Sequence, residues 1–272
     1  AGLELINILS KHSNVIVKFL GSDTFPGEDI KKFDKRIINK TLPKLDLINN
    51  FDPSAIDVVF LALPHAVSHN YVKKNINKSN IIDLSADFRL DDSKIYRQNY
   101  NQNHSCPSLL DDFIYGLAEI NLELIQGSNN IAVPGCYPTS ILLPLIPLLK
   151  CNLIKSDNII IDSKSGYSGA GKSFDQKKVF NQGKLNFYNY NTNQHRHICE
   201  IHQELSKFSN RDIKFSFNPH VLPIFRGMMS TIYCDLQPNK TDQDIYKCLD
   251  NFYSNSKFVN IVEDNDNVDF FK

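Results

Sequence analysis

Cys136 has the sequence surroundings that most favour chemistry. It lies in the run Ile131–Pro144, between Gly135 and Pro138. The apolar residues before it predict a short buried strand, Pro134 and Gly135 end that strand, and the apolar run after Pro138 has the length of a helix. A thiol at such a junction meets unpaired backbone N–H groups and the positive end of the helix dipole, which favour the nucleophilic thiolate. The alternative interpretation is a buried, inert thiol.

A second group of reactive side chains lies within nine residues of sequence. His195, Arg196, His197, Glu200 and Gln203 combine a titratable base, a fixed cation and a carboxylate. This combination suits acid/base work on a bound anion. A metal site is the alternative, but zinc usually leaves a wider loop between its ligand pairs, so we predict none. The residues that this alternative would use are His195, His197, Cys199 and His202.

Two further segments could contact a ligand. The loop from Ser165 to Lys172 follows a predicted strand, and its glycines would let backbone N–H groups approach an anion or a cofactor, with Ser168 and Gly169 at its centre. It lacks the spacing of a P-loop. Arg226 stands beside Gly227 after a segment that two prolines stiffen, and its guanidinium could clamp a carboxylate or a phosphate. A flexible turn and a structural ion pair are the respective alternatives.

The composition indicates a soluble protein with a small partner. The chain has 272 residues, 42% of them hydrophobic, and its 30 basic and 30 acidic residues give a formal net charge of zero. Such a balance provides no field to attract nucleic acid or an anionic membrane. The six cysteines are widely spread, without a Cys-x-x-Cys pair, and no apolar run is long enough for a membrane span. We therefore predict reduced thiols and a cytoplasmic location.

The order of the predicted elements indicates an α/β fold. A helix over 1–12 is followed by a strand over 14–20, a polar segment to about residue 50, and a buried strand over 56–63 that ends at Pro64-His65. A helix over 67–74 and a strand over 81–84, which ends at Ser85, complete a strand-helix-strand unit. This alternation predicts a doubly wound sheet, whose ligands bind beyond the carboxyl ends of the strands. Because the chain opens inside a helix, we expect a first strand with its glycine turn to precede Ala1, with Gly2 as the last glycine of that turn.

The second half of the chain has a different pattern. Residues 91–112 have no clear period and predict a long surface excursion, and a short helix leads from there to the strand before Cys136. After a helix over 139–150, strands over 158–163, 214–217 and 229–234 predict an α+β region.

These segments together resemble N-acetyl-gamma-glutamyl-phosphate reductase over nearly the whole chain. The resemblance rests on Pro134–Thr139, the loop 165–171, the 195–201 segment and the run from Pro219 to Gly227, all in the family's order. Two further segments, Ser85–Arg89 and Tyr115–Leu117, also match the family's pattern. The family's final strands and closing helix are absent, so we expect the longer protein to continue beyond Lys272.

The resemblance implies a fold, a reaction and roles for the residues. It implies a Rossmann-type doubly wound parallel sheet over 1–138 and an α+β catalytic and dimerisation domain over 139–272. It also implies that a homo-oligomer carries out the NADPH-dependent reduction of an acyl phosphate in arginine biosynthesis. The reaction would pass through a thioester on Cys136, with His195 as the acid/base partner. Substrate-binding residues would be His197, Glu200, Arg226 and Ser165. Cofactor-binding residues would be Gly2, Ser22, Pro64, His65, Ser85, Ser168 and Gly169.

The sequence leaves alternatives for the cofactor and for the substrate. Asp23 follows Ser22 at the end of the second strand of the full domain, where a carboxylate favours the ribose hydroxyl of NADH and a cation favours NADPH. NADPH remains our prediction, with NADH not excluded, because Lys31, Lys32, Lys35 and Arg36 follow. An aspartate-semialdehyde dehydrogenase or a lysine-pathway reductase is the alternative enzyme, although the former places its catalytic histidine where this chain has Met228. A truncated, non-catalytic binding module is the alternative of another class.

Overall fold

The computed structural model describes residues 1–38, 41–171, 174–209 and 211–262. The helices and strands follow one another as α1 (Gly2–Leu9), β1 (Leu20–Gly21), β2 (Leu45–Asp46), β3 (Val58–Leu61), α2 (Ser68–Asn75), β4 (Asn80–Asp83), α3 (Ser93–Tyr100), β5 (Ile114–Tyr115), α4 (Ala118–Gln126), β6 (Asn130–Ala132), α5 (Cys136–Lys150), β7 (Ile159–Gly166), β8 (Phe180–Asn181), β9 (Lys184–Leu185), β10 (Tyr188–Asn189), α6 (His197–Ser206), β11 (Phe215–Leu222), β12 (Met228–Tyr233) and α7 (Asp242–Tyr253).

The first sheet is parallel, with the strand order β3-β4-β6-β5. Its apolar side chains, such as Ile81 and Ala132, have no exposed surface and pack with Val72 of α2. The carboxyl ends of β3, β4 and β6 therefore meet at one edge, which carries Pro64, Ser85 and the segment that leads to Cys136. The predicted α/β fold is confirmed.

The strand predicted over 14–20 is mostly irregular. Only its end, Leu20–Gly21, is a strand, and it pairs in parallel with Leu45–Asp46 in a separate two-stranded sheet. A groove of about 760 Å³ lies between this sheet, α1 and β3. Val58 of β3 is 38% exposed, although the sequence predicted a strand buried on both faces. Both differences depend on how strands pair. A β-branched run forms a strand only where a neighbouring strand pairs with its backbone. β3 is partly exposed because it lies at the edge of its sheet.

The second sheet is mixed and carries the second core. Its order is β10-β11-β7-β12, and only β11 and β7 run in parallel. Ile159, Ile161 and Phe217 are buried on the face that packs against α5 and α6. This arrangement confirms the predicted α+β region.

The prediction of an irregular excursion over 91–112 was wrong. This segment contains α3 and a 3-10 turn over Pro107–Asp112. The side chain of Asp92 caps α3, and Tyr96 is fully buried and donates a hydrogen bond to Asp87 at 2.8 Å. The short helix is fixed by this contact with a residue outside it, and the polar pattern of its eight residues does not reveal such a contact.

Candidate active site

Cys136 is the first residue of α5, at the carboxyl end of β6. Gly135 caps the helix in an extended conformation, and its carbonyl accepts bonds from both the N–H and the hydroxyl of Thr139, each at 2.9 Å. Pro138 is tolerated because the first turn of a helix needs no N–H donor there. A side chain on Gly135 would lie 2.8 Å from Nε2 of His197, so this position requires glycine.

The pKa of Cys136 differs in direction from the prediction. The residue is exposed, yet enough protein surrounds its sulfur that desolvation raises the thiol pKa. The N–H of Tyr137 and the charge of Arg89 lower the pKa, as a helix N-terminus should, but their effect is smaller. The predicted preference for thiolate was therefore wrong for the free chain.

Glu200 ties this turn to α6 and to the first sheet. It has no exposed surface, and one carboxylate oxygen accepts bonds from the N–H of Gly135 at 2.8 Å and the hydroxyl of Tyr115 at 2.7 Å. Its other oxygen lies 3.4 Å from Nη1 of Arg89, and Nε of the same guanidinium donates to the carbonyl of Val133 at 2.6 Å. The carboxylate that the sequence placed on substrate is therefore bound to protein.

The two histidines lie together at the start of α6. The backbone N–H of His197 donates to Nδ1 of His195 at 3.1 Å, and the centres of the two rings are 4.7 Å apart. His195 packs edge-on against Tyr137, the residue after Cys136. Burial, with Arg196 nearby, lowers the pKa of His195 to about 4, and burial also holds the pKa of His197 well below 6.5. Both rings are therefore neutral near pH 7.

The two predicted ligand-contacting loops are joined to each other. Ser168 and Tyr167 donate backbone bonds to Phe225 and Ile224 at 2.9 and 3.0 Å, and the Arg226 backbone approaches too closely for any side chain on Gly166. A side chain on Gly169 would lie 3.0 Å from the hydroxyl of Ser165. That hydroxyl donates to the carbonyl of Gly166 at 2.9 Å, and Ser165 lies close enough to Tyr137 to influence the pKa of its phenol, so the loop adjoins the start of α5. Lys172, at the end of the predicted loop, lies outside the described residues.

Arg226 lies on the other side of this loop pair. Its guanidinium is half-exposed and donates to Glu4 of α1 at 2.7 Å. Arg36 binds the same carboxylate, and the two arginines lower the pKa of Glu4 to about 2. The arginine predicted to hold substrate thus makes an ion pair with the first turn of α1.

Four of the predicted cofactor residues lie at the ends of helices or strands in the first part of the chain, although not all of them present free groups. Gly2 begins α1, and a Cβ there would lie 3.4 Å from that of Ala62, next to the end of β3. His65 accepts a bond from the N–H of Ala86 at 3.2 Å. Ser85 is buried and donates to Asp83 at 2.7 Å, so its hydroxyl shapes the turn. The hydroxyl of Ser22 accepts from Phe25 N–H at 3.2 Å.

A buried carboxylate that sequence reasoning left without a role supports this edge. Asp87 has no exposed surface and accepts from the N–H of Ala66, which has a left-handed φ of 65°, at 2.8 Å. His69 of α2 is also buried, with its Nε2 3.8 Å from Asp87. Asp87, Arg89 and Tyr115 all lie in segments that matched the family's pattern, and that match was the only signal of their importance.

The described part of the chain contains no metal-binding cluster. No group of three or more His, Cys, Asp or Glu side chains there is arranged to hold an ion. Likewise, no described helix has both the length and the apolar content needed to cross a membrane.

Comparison with known proteins shows similarity along nearly the whole chain. Residues 1–128 match the family model "Semialdehyde dehydrogenase, NAD binding domain", and residues 136–271 match "Semialdehyde dehydrogenase, dimerisation domain". The N-acetyl-gamma-glutamyl-phosphate reductase of Ehrlichia chaffeensis is 44% identical over 97% of this chain and 76% of its own length. That of Alkaliphilus metalliredigens is 40% identical, with 97% and 77% covered.

Solved structures show the same fold at low identity. Aspartate semialdehyde dehydrogenase II from Vibrio cholerae has a TM-score of 0.67 at 18% identity, covering 91% of this chain and 75% of its own. The Candida albicans enzyme, solved with NADP, has a TM-score of 0.57 at 16% identity, covering 91% and 72%. Given these similarities and the site described above, the chain belongs to the N-acetyl-gamma-glutamyl-phosphate reductase family.

Proposed function

We propose that this chain reduces N-acetyl-gamma-glutamyl phosphate to N-acetylglutamate semialdehyde with release of phosphate, as an NADPH-dependent enzyme of arginine biosynthesis. The observation that carries the proposal is the bond from Gly135 N–H to Glu200. It joins the cysteine turn of α5 to the histidine segment of α6, so two motifs that are distant in sequence form one site. The reaction itself is inferred from membership of the family.

Cys136 is the proposed nucleophile. Its sulfur attacks the acyl carbon, a C–S bond forms, and the phosphate leaves with the electrons of the C–O bond. The nicotinamide cofactor, when bound, supplies a hydride to the resulting thioester. Breaking the C–S bond then releases the semialdehyde. The raised pKa of Cys136 means that the thiol must lose its proton during the attack, and the departing phosphate takes up that proton as HPO₄²⁻.

His195 is the proposed acid/base group. Because its Nδ1 accepts the N–H of His197, the neutral ring carries its proton on Nε2, where it can donate to the oxygen that gains charge. Accepting the thiol proton on Nε2 would require the ring proton to move to Nδ1 and this bond to break. The predicted substrate contacts of His197 and Glu200 give way to a positioning role, since both are buried against the Gly135 turn.

The edge of the first sheet fits a dinucleotide. A helix N-terminus beside the carboxyl end of a parallel strand is the usual place for a pyrophosphate, and Gly2 lies there. Ser22 would adjoin the ribose, and Pro64, His65, Ser168 and Gly169 would border the nicotinamide. Asp23 accepts the N–H of Ile48 at 3.0 Å, so one carboxylate oxygen is occupied within the protein. This favours NADPH over NADH. Arg226 would reach the substrate's anionic groups only by leaving Glu4.

The outer face of the second sheet supports a homo-oligomer. Ile160, Met229 and Tyr233 are 46%, 42% and 59% exposed on that face, where Tyr233 stands opposite Ile160. An exposed apolar sheet face often marks an interface. Sedimentation should therefore give a mass above that of one chain. The cytoplasmic location stays a prediction.

The test of function is the reverse reaction, phosphate-dependent reduction of NADP with N-acetylglutamate semialdehyde. Turnover that requires phosphate and is lost in Cys136→Ser supports the proposal. Faster turnover of aspartate semialdehyde would identify the alternative enzyme. Tight NADPH binding without turnover of either aldehyde would identify a binding module.

A further inference from the structure

Two cysteines that are far apart in sequence meet where α7 packs against the end of α5. Cys151 is the residue that caps the C-terminus of α5, and Cys248 lies in the middle of α7. The Cys151 N–H donates to the carbonyl of Pro147 at 2.9 Å, and the Cys248 thiol points to the same oxygen at 3.6 Å. The shared acceptor brings the Cys248 sulfur beside the Cys151 residue.

The position of α7 at this point is held by two contacts beside the pair. Pro147 has no N–H, which leaves the carbonyl of Leu143 without its helical donor, and the hydroxyl of Tyr253 donates to that carbonyl at 2.5 Å. Lys150 also lies 5.7 Å from the ring centre of Phe252. The packing of α7 on α5 is thus fixed beside the cysteines, by residues that precede Cys151 in α5 and follow Cys248 in α7.

The two thiols differ in access. Cys151 is exposed, whereas Cys248 is partly buried. Burial, together with the adjacent Cys151 thiol, raises the pKa of Cys248 to about 12. A small oxidant would therefore meet Cys151 first, and Cys248 would act second.

We propose that Cys151 and Cys248 are a redox-modification site, which forms an intramolecular disulfide by exchange with a small-molecule disulfide. The Cys151 thiolate attacks one sulfur of the reagent, giving a mixed disulfide and one released thiolate. Cys248 then attacks the Cys151 sulfur and displaces the second thiolate, which takes up the Cys248 proton. The pair loses two electrons, and the reagent is reduced to two thiols.

The other four cysteines offer a contrast. Cys106 is buried, Cys199 donates to the carbonyl of Arg196 at 3.1 Å, Cys234 follows β12, and Cys136 begins the opposite end of α5. A 15-residue helix separates Cys136 from the proposed site by about 20 Å. The disulfide should therefore leave the catalytic end of α5 unchanged.

The test uses the folded chain, with Cys136→Ser as background so that the proposed nucleophile does not react. The protein is incubated with oxidised glutathione, its free thiols are blocked, and its peptides are mapped without reduction. We expect one peptide pair linked through Cys151 and Cys248, no cross-linked dimer, and a Tm higher by about 5–15 °C, since the bond closes a loop of roughly 100 residues.

Single variants separate the two steps. In Cys248→Ser, Cys151 should keep glutathione as a stable mixed disulfide, and in Cys151→Ser, Cys248 should remain reduced. Cys234→Ser is the matched control and should form the disulfide as the parent does. Glutathione that stays on Cys151 in the parent, or a Cys151–Cys151 dimer, would overturn the proposal. Because Cys136 is absent, none of these outcomes depends on the proposed reductase activity.

Discussion

Replacing Glu200 by glutamine tests whether this buried carboxylate holds the Cys136 turn in its active geometry. One oxygen of the carboxylate serves Gly135 and Tyr115, and the other faces Arg89. Glutamine has one carbonyl oxygen and one NH₂ group. In one orientation the NH₂ group faces the guanidinium of Arg89, and in the other it faces the Gly135 N–H and the Tyr115 hydroxyl. Each orientation leaves buried donors without an acceptor.

The expected loss of stability follows from the buried groups that are left without a partner. A buried donor without a partner costs about 1–3 kcal/mol, and an uncompensated buried charge about 3–5 kcal/mol. Since both Arg89 and Glu200 are almost completely buried, we expect the larger value to apply. It corresponds to a fall in Tm of about 10 °C for a chain of this size. A shift of the Gly135 turn by about 1 Å should lower kcat by about 100-fold.

Glu204→Gln provides the matched control. Glu204 lies one turn later in α6, is also buried, and bonds to Lys207 and Gln203, each at 2.8 Å. Its loss should lower the Tm but leave the turn at Cys136 in place. Turnover should therefore fall in Glu200→Gln and stay at the parent value in Glu204→Gln.

Two results would refute this reasoning. A folded Glu200→Gln with parent kcat would show that the carboxylate does not position Cys136. Equal losses of activity in both variants would show that the loss of a buried charge, and not the bond to Gly135, causes the effect.

Further substitutions test the nucleophile, the glycine and the histidines. Cys136→Ser should abolish turnover and leave NADPH binding intact; retained activity would exclude a thioester. Gly135→Ala should lower activity while the chain stays folded, because the methyl group would lie 2.8 Å from His197, and parent activity would show that the ring can move. His195→Asn should lower kcat by about 100- to 10,000-fold, whereas His197→Asn should lower kcat less, because that ring only positions the Gly135 turn; a larger loss in His197→Asn would reverse the assignment. Because the pKa of His195 falls from 6.5 to about 4 on folding, the free energy of unfolding should decrease as the pH drops through that range, less steeply in His195→Asn.

Local sequence patterns were sufficient to locate the strand-to-helix junction that carries the proposed nucleophile. Pro134, Gly135 and the apolar run after them fix the strand-to-helix junction, and these signals lie within a few residues of Cys136. The sequence did not show the direction of the thiol pKa. That direction depends on how much protein the rest of the fold packs around the sulfur, which no local pattern records.

Residues that act through distant contacts were harder to assign. Glu200 was recognised as reactive, but its partners Gly135 and Tyr115 are 65 and 85 residues away in sequence, so its buried position could not be inferred. The run over 14–20 shows the same limit for the fold. Its β-branched residues have the propensity for a strand, but pairing decides whether a strand forms.

The choice between NADPH and NADH is where the geometry adds most to the sequence. The sequence alone placed Asp23 where a carboxylate could bind the ribose or repel a 2′-phosphate. In the structure its Oδ1 accepts the Ile48 N–H at 3.0 Å, so Asp23 connects the loop after β1 to the turn after β2. Asp23→Ser should therefore loosen this loop and weaken the binding of NADPH and NADH alike. The ratio of their kcat/KM values should stay unchanged and should favour NADPH. A parent that uses NADH equally well, together with a shift toward NADPH in Asp23→Ser, would show that the carboxylate faces the ribose after all.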